Sequence, residues 1–209
     1  MSSDRTDALA LVPVSRETAA RLDDFVALLL KWQQRTNLIA PSTINQIWRR
    51  HVADSIQLLP LAPDARTWID LGSGGGFPGI VIACVLAERA DCTIHLVESN
   101  AKKVAFLREA QRHLVLPALV HAVRIEDFVV TCNESPEVVT ARALAPVTKL
   151  LEYGAPLLER GAQGLFLKGQ HVEAELTEAS KYWTLEATLV PSRTSTQGRI
   201  LVVRKAKRS

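Results

Sequence analysis

The chain has 209 residues, of which 47% are hydrophobic and 22% charged, and its formal net charge is +3. This length and composition are typical of one globular domain with at most a small appendage and exclude a disordered protein. The longest apolar run, Gly79 to Ala87, is far shorter than the roughly 20 residues of a membrane helix, and no signal peptide is visible. Three cysteines without a C-x-x-C pair argue against disulfides or a zinc site, so we expect a cytoplasmic protein without a metal.

Positive charge is concentrated in two segments. Pro191 to Ser209 contains six basic residues and no acidic one, and Lys31 to Ala53 contains four basic residues beside Trp32 and Trp48. Clustered Lys and Arg suit a polyanionic partner because they displace counterions from phosphates, but a solvated surface explains the same pattern. The tryptophans could stack on bases, although their helical spacing among apolar residues favours the core.

The first sixty or so residues are predicted to be helical. An apolar stripe covers Thr18 to Gln34, and Ser42 or Thr43 is predicted to cap a second helix that ends before a proline-rich break. We therefore expect residues 1–63 to form a helical extension. Residues 64–209 are expected to form the main domain, with a basic C-terminal tail.

Strands and helices alternate through the rest of the chain. Four helices are predicted at Gly79–Glu88, from Ser99 or Asn100 to Leu114, at Val147–Leu158 and at His171–Ala179. Short apolar strands between helices predict an α/β fold with a doubly wound, mostly parallel sheet. The predicted strands are Thr67–Leu71, Thr93–Glu98, Ala118–Val123, Val138–Ala141, Gly164–Lys168, Thr184–Val190 and Arg199–Arg204.

A glycine-rich loop follows the first predicted strand and reads Asp70-Leu71-Gly72-Ser73-Gly74-Gly75-Gly76. Glycines permit positive φ and a close approach of a ligand to the backbone. The loop is expected at the carboxyl ends of the strands, where open α/β sheets bind ligands. Glu98 ends the next strand about 26 residues after Gly72, and its carboxylate can accept two hydrogen bonds from ribose hydroxyls. These features predict a nucleotide-like ligand, although a glycine turn that only connects strand and helix is the alternative.

The identity of that ligand is narrowed by what the loop lacks. A dinucleotide-binding loop needs glycine where Phe77 stands, and the Gly-Lys-Ser/Thr of a P-loop does not occur. Acidic residues beside the loop suit a cationic sulfonium better than a pyrophosphate. The D-x-G-x-G-x-G pattern resembles the first motif of class I S-adenosylmethionine-dependent methyltransferases, which implies that fold and S-adenosyl-L-methionine as cofactor.

A longer segment around the glycine loop matches one methyltransferase family more specifically. The segment Gly72-Ser73-Gly74-Gly75-Gly76-Phe77-Pro78-Gly79-Ile80 resembles the loop of the bacterial small-subunit ribosomal RNA guanine-N7 methyltransferases, also called glucose-inhibited division protein B. The similarity runs from about Phe25 to Val203, with departures at Gln33, Ile39, Gly75 and Val81. Further matching segments are Trp32 with Thr36-Asn37-Leu38, His51 to Ser55, Arg142-Ala143, Lys168-Gly169 and Gly198-Arg199.

The resemblance implies methyl transfer to N7 of a guanine in 16S rRNA of the small ribosomal subunit, in a loop near the decoding site. Arg142 and Lys168 are hypothesised to position the target nucleotide, with Arg142 facing both cofactor and RNA. Further RNA-facing candidates are Lys103, Arg124 and Arg199, for each of which a solvated surface charge is the alternative. The candidate cofactor-binding residues are Gly72, Gly74, Phe77, Glu98, Ile125, Glu126 and Arg142.

The exit of the fourth predicted strand reads Thr140-Ala141-Arg142-Ala143-Leu144. It lacks the acidic or amide residue, prolines and aromatic that hold an exocyclic amine in many nucleic-acid methyltransferases. Guanine N7 has a lone pair and no proton to lose, so no general base is expected.

Several alternatives stay open at this point. Arg142 could simply pair with a carboxylate such as Glu126. His51 and Asp54 could form an active pair, although structural hydrogen bonds are favoured. The whole protein could be a methyltransferase for small molecules or proteins, or a non-catalytic RNA- or nucleotide-binding module. No obligate oligomer is indicated.

Overall fold

One central sheet organises the protein. The computed structural model describes residues 3–209. The strands are β1 (Thr67–Leu71), β2 (Thr93–Glu98), β3 (Ala118–Ala122), β4 (Val138–Arg142), β5 (Gln163–Lys168), β6 (Trp183–Pro191) and β7 (Arg199–Arg208). Their order is β3-β2-β1-β4-β5-β7-β6, in which the first five are parallel and β7 runs antiparallel to both of its neighbours. The predicted doubly wound, mostly parallel sheet is confirmed, and the order reverses between β1 and β4.

Helices cover both faces of this sheet. They are α1 (Ser3–Leu11), α2 (Arg16–Gln33), α3 (Asp54–Ile56), α4 (Gly79–Leu86), α5 (Ala101–His113), α6 (Ile125–Thr131), α7 (Val147–Leu158) and α8 (Val172–Ala179). Within residues 3–209, no helix combines the length and the apolar character needed to cross a membrane.

The strands bury side chains on both faces, as strands of a parallel sheet between helices must. In β5, Leu165 and Leu167 belong to one hydrophobic core, and Phe166 between them belongs to the other. The first core holds α1, α2, α4 and α5, and the second holds α6, α7 and α8. The N-terminal helices therefore share a continuous core with the sheet.

Side-chain caps fix where two of the predicted helices begin. The Ser15 side chain accepts a hydrogen bond from the Thr18 N–H at 3.0 Å, at the start of α2. Asn100, rather than Ser99, caps α5, because its side chain accepts from the N–H groups of Lys102 and Lys103. Each cap satisfies backbone donors that a helix start leaves unpaired.

The second helix predicted in the extension is wrong as a regular α-helix. Its residues form a 3₁₀ turn (Pro41–Gln46), a π-helical segment (Trp48–Ala53) and the short α3, followed by a 3₁₀ turn at Leu59–Leu61. Neither Ser42 nor Thr43 caps it, and the Thr43 hydroxyl instead donates to the Ala40 carbonyl at 2.7 Å. The Asp4 carboxylate on α1 accepts from the N–H groups of Trp48 and Arg49, at 2.8 and 3.3 Å. A distant residue thus sets where this segment begins.

The basic C-terminal segment is part of the sheet. Five of its six basic residues lie on β7, which occupies the position between β5 and β6. Trp48 is buried in the first core, and Trp32 packs edge-on against Phe106 with ring centroids 5.8 Å apart. Both tryptophans therefore take the core role that their spacing favours.

We expect Gly79→Ala to lower the free energy of unfolding by about 1–3 kcal/mol, because overpacking forces neighbours to shift. A Cβ at Gly79 would lie 2.3 Å from Leu96 Cδ2 and 2.7 Å from Asp70 Oδ2. Urea denaturation measures the change. Gly169→Ala is the control, since a Cβ there meets nothing within 4 Å. Equal stability of the two variants would contradict the packing argument.

Candidate functional site

The glycine loop takes the backbone conformation that its sequence predicts. Gly72, Gly74 and Gly76 have φ values of +71°, +53° and +86°, a region that disfavours other residues. A Cβ at Gly75 would lie 2.9 Å from the Leu38 carbonyl oxygen, so this departure from the family pattern lets the loop approach the extension closely.

Asp70, just before the loop, is fully buried between three elements. Its Oδ1 accepts the Thr140 hydroxyl of β4 at 2.9 Å, and its Oδ2 accepts the Gly79 N–H at the start of α4 at 3.1 Å. Burial raises the pKa of this carboxyl to about 6, against the lowering effect of its donors. Asp70 therefore fixes the loop rather than contacting a ligand.

A cavity of about 460 Å³ opens beside the loop at the carboxyl ends of β1, β2 and β4. Two of the predicted RNA-facing residues, Lys103 and Arg124, also line it. The structure brings together every predicted cofactor-binding residue around this cavity: Gly72, Gly74, Phe77, Glu98, Ile125, Glu126 and Arg142.

Glu98 joins the loop to the next helix. Its Oε2 accepts the Gly74 N–H at 3.0 Å, and its Oε1 accepts the Asn100 N–H at 2.8 Å. An ionised carboxylate offers about four acceptor positions, so Glu98 can still accept from a ligand in the cavity. Backbone bonds hold it in place for that role.

Other lining residues were not predicted from the sequence. Leu38 and Ile39 reach the cavity from the extension because the Gln33 side-chain oxygen accepts both of their N–H groups, at 2.9 and 3.0 Å. Gln33 departs from the family pattern, yet the hydrogen bonds of its side chain fix the position of Leu38 and Ile39. Leu144 and Tyr153 also line the cavity. The matched Thr-Asn-Leu segment was the one available signal for Leu38.

His51 also lines the cavity and is buried against Phe77, with ring centroids 4.9 Å apart. Its Nε2 lies 2.7 Å from the Thr43 hydroxyl oxygen. Since Thr43 donates its proton to Ala40, His51 must donate from Nε2, which leaves Nδ1 as an acceptor without a partner among residues 3–209. Burial, reinforced by Arg142 and Arg50, lowers the pKa of His51 to about 3. The ring is neutral and does not bond Asp54.

A second cavity, of about 670 Å³, adjoins the first, and Arg142 and Ala143 line both. Ala143 has a φ of +49°, which turns the chain sharply after β4. Five cationic and two anionic side chains line the second cavity: Arg49, Arg50, Arg142, Lys168 and Arg199, with Asp54 and Glu175.

The two carboxylates of the second cavity are already paired. Glu175 lies 2.6 Å from the Lys168 ammonium, which also donates to the Ala145 carbonyl. Asp54 faces Arg142. Arg49, Arg50 and Arg199 have no carboxylate within ion-pair distance among the residues that the structure describes. The sequence pattern shows the charge of Arg49 and Arg50 but does not assign them to the site.

Arg142 stands in the wall between the two cavities. Its Nε lies 3.6 Å from Asp54 Oδ2, and its guanidinium carbon lies 5.7 Å from the Phe77 ring centroid. Its ion-pair partner is therefore Asp54, not Glu126. Burial lowers the pKa of Arg142, and the Asp54 charge opposes that shift. An arginine side chain remains protonated in proteins, so the group is cationic.

Comparison with known proteins places the chain in a family. A family model of rRNA small subunit methyltransferase G matches residues 18–201. Ribosomal RNA small subunit methyltransferase G of Bradyrhizobium sp. (strain BTAi1) is 58% identical over 203 residues, which are 97% of this chain and 91% of that protein. The chain belongs to this family. A second relative of the same name, from Rhodopseudomonas palustris (strain BisB18), is 56% identical over 96% of this chain and 86% of its own length.

Solved structures agree on the fold of this family member. An O-methyltransferase from Bacillus cereus in complex with SAH superposes with a TM-score of 0.63 at 11% identity, covering 98% of both chains. Cofactor-bound Rv0187 from MTB gives 0.64 at 14% identity, covering 96% of this chain and 95% of that one. The fold is the class I S-adenosylmethionine-dependent methyltransferase fold, with additional N-terminal helices.

The hydroxyl that Thr140 donates to Asp70 should stabilise the protein most when Asp70 is ionised. The pKa of Asp70 is raised from 3.8 to about 6 on folding, so the free energy of unfolding falls as pH rises through that window. We expect Thr140→Val to cost about 1–3 kcal/mol near pH 8 and less near pH 5. Urea denaturation at both pH values measures this difference.

Thr188→Val is the matched control for that experiment, because Thr188 is exposed on the edge strand β6. Its effect should stay within about 0.5 kcal/mol at either pH. A Thr140→Val loss that does not change with pH would contradict the assigned role of the hydroxyl.

Proposed function

We propose that this chain transfers a methyl group from S-adenosylmethionine to N7 of a guanine in 16S rRNA of the small ribosomal subunit. The observation that carries the proposal is the meeting of two cavities at Arg142. One is lined by the glycine loop and Glu98, and the other by arginines without carboxylate partners. Membership of the rRNA small subunit methyltransferase G family supports both the reaction and the class of substrate.

The first cavity fits S-adenosylmethionine. Its volume of about 460 Å³ lies in the range of small-molecule sites, and the loop exposes backbone where side chains would intrude. Glu98 and Glu126 provide carboxylates for hydroxyls and for a cationic ligand. Gly72, Gly74 and Phe77 would hold the ligand from the loop side. When bound, S-adenosylmethionine supplies an electrophilic methyl carbon.

The second cavity fits a segment of RNA. Arginine presents a planar set of donors that matches phosphate, and the three unpaired arginines gain charge partners from a polyanion. The Arg50 side chain is exposed and forms no hydrogen bond or ion pair with other described residues. Among the described residues, the Arg49 side chain donates only to the Thr194 carbonyl, and the Arg199 side chain donates only to the carbonyls of Thr196 and Gly198.

The proposed reaction requires the protein to align guanine N7 with the methyl group, and it requires no proton transfer. Guanine N7 presents a lone pair without a proton, so no side chain has to act as general base. Alignment of reacting groups can supply on the order of 7–11 kcal/mol. Arg142 is placed to contact the base at O6 while leaving N7 free. Lys168 is neutralised by Glu175, so its contribution to the cavity wall is chiefly structural.

The test is methyl transfer from labelled S-adenosylmethionine to unmodified small ribosomal subunits, with free 16S rRNA in parallel and the labelled nucleotide mapped. We expect one N7-methylguanine. Tight cofactor binding without transfer to either RNA substrate would overturn the proposal. It would favour a small-molecule or protein substrate, or a non-catalytic binding module.

Arg50→Ala should reduce the salt dependence of RNA binding. The slope of log affinity against log salt concentration should become shallower by about one, because each phosphate contact contributes about that much. Binding of small subunits measured across a salt series gives the slope. Arg108→Ala removes the same charge from α5, outside both cavities, and should leave the slope as in the unsubstituted protein. Equal slopes for both variants would exclude Arg50 from the interface.

A further inference from the structure

The loop between β6 and β7 is bonded to the N-terminal part of the chain rather than left free. Its Arg193 N–H donates to Gln57 Oε1 at 2.8 Å, and the Thr194 carbonyl accepts from Arg49 Nε at 3.0 Å. Gln57 and Thr194 are both buried. These contacts join segments about 140 residues apart, directly beside the second cavity.

Asp54 is the centre of this network. Its Oδ1 accepts the Thr194 hydroxyl at 2.6 Å and the Gln57 side-chain N–H at 2.8 Å. Its Oδ2 is left to face Arg142 Nε at 3.6 Å. Two neutral donors therefore fix one carboxylate oxygen and so determine where the other oxygen points.

Arg142 contacts this carboxylate and few other groups. Among the described residues its guanidinium has one ion pair, to Asp54, and one ring contact, to Phe77. None of the guanidinium N–H groups has a hydrogen-bond acceptor within residues 3–209, which leaves them free for ligands in the two cavities that they border. Arg50 is a second cation near Asp54 but reaches neither ion-pair nor hydrogen-bond distance.

We propose that Asp54, oriented by Thr194 and Gln57, is a positioning residue. It holds the Arg142 guanidinium where that group can contact the target nucleotide. The inference rests on the proposed function. It assigns the His51-Val52-Ala53-Asp54-Ser55 segment a role in substrate alignment, through Arg142, in addition to packing. It also makes the β6–β7 loop part of the alignment, because Thr194 supplies the short bond that turns Asp54.

A double-mutant cycle tests the inference. Asp54→Asn keeps an oxygen for Thr194 and Gln57 but replaces the anionic oxygen that faces Arg142. We expect kcat for RNA methylation to fall by about 10- to 100-fold, since a misplacement of about 1 Å can cost that much. KM for RNA should change less than threefold, because Arg49, Arg50 and Arg199 still meet the phosphates. In an Arg142→Ala background, Asp54→Asn should have no further effect.

Thr194→Val supplies a second route to the same result. It removes the hydroxyl donor with little change of shape and should reduce kcat in the same direction but less, again only when Arg142 is present. Asp64→Asn is the matched control, since Asp64 is exposed and lines neither cavity. Equal losses in the two backgrounds, for either variant, would show a general structural role and overturn the inference.

A readout without RNA separates this inference from the proposed function. The Nε–H signal of Arg142 in a ¹⁵N NMR spectrum can be identified by its loss in Arg142→Lys. We expect Asp54→Asn and Thr194→Val to shift or broaden it, and Asp64→Asn to leave it in place. An unchanged signal in Asp54→Asn would overturn the positioning role, whatever the substrate. Absence of RNA methylation by the unsubstituted protein would instead overturn the proposed function alone.

Discussion

The buried carboxylate of Asp70 holds together the elements on which the site depends. A carboxylate removed from water is costly unless it is hydrogen-bonded, so its position requires both the Thr140 hydroxyl and the Gly79 N–H. These bonds set the distance between β1, β4 and the start of α4, and with it the path of the glycine loop. Alternate residues of a strand face the same side, so fixing Thr140 also directs Arg142 toward the cavities.

Six of the seven strands could be predicted to within one residue at each end, because they are short and lie between glycines, prolines and polar residues. The last strand was predicted to end at Arg204, but β7 continues to Arg208 because its basic residues pair with β6. Two helices, α1 and α6, are not predicted as separate elements. The segment of α1 has no clear apolar stripe, and α6 is only 7 residues long. The irregular segment from Pro41 to Ile56 depends on Asp4, which binds backbone donors more than 40 residues away. Such a contact is a property of the folded chain and leaves no local pattern.

The site was predictable where its residues come from strand ends, since parallel strands bring their carboxyl ends to one edge. That rule predicts that the glycine loop, Glu98 and Arg142 lie at the same edge of the sheet. It says nothing of residues that reach the same edge from elsewhere, such as His51, Arg49 and Thr194. The result is a pair of adjoining cavities that share Arg142. The first combines bare loop backbone with the carboxylates of Glu98 and Glu126 and the cations Lys103 and Arg124, whereas the second is lined by five cationic and two anionic side chains.

The position of β7 in the sheet constrains the order in which the parts of the protein can fold during synthesis. β6 precedes β7 in the chain, yet among the strands of residues 3–209 it pairs only with β7, which separates it from β5. During synthesis on the ribosome, β6 therefore has no strand to pair with until β7 has left the exit tunnel. The hydrogen bond between Thr194 and Asp54 forms later still relative to the synthesis of Asp54, because Thr194 follows it by 140 residues. The central parallel strands can assemble early, whereas the arginine-lined cavity closes only when this late hairpin docks.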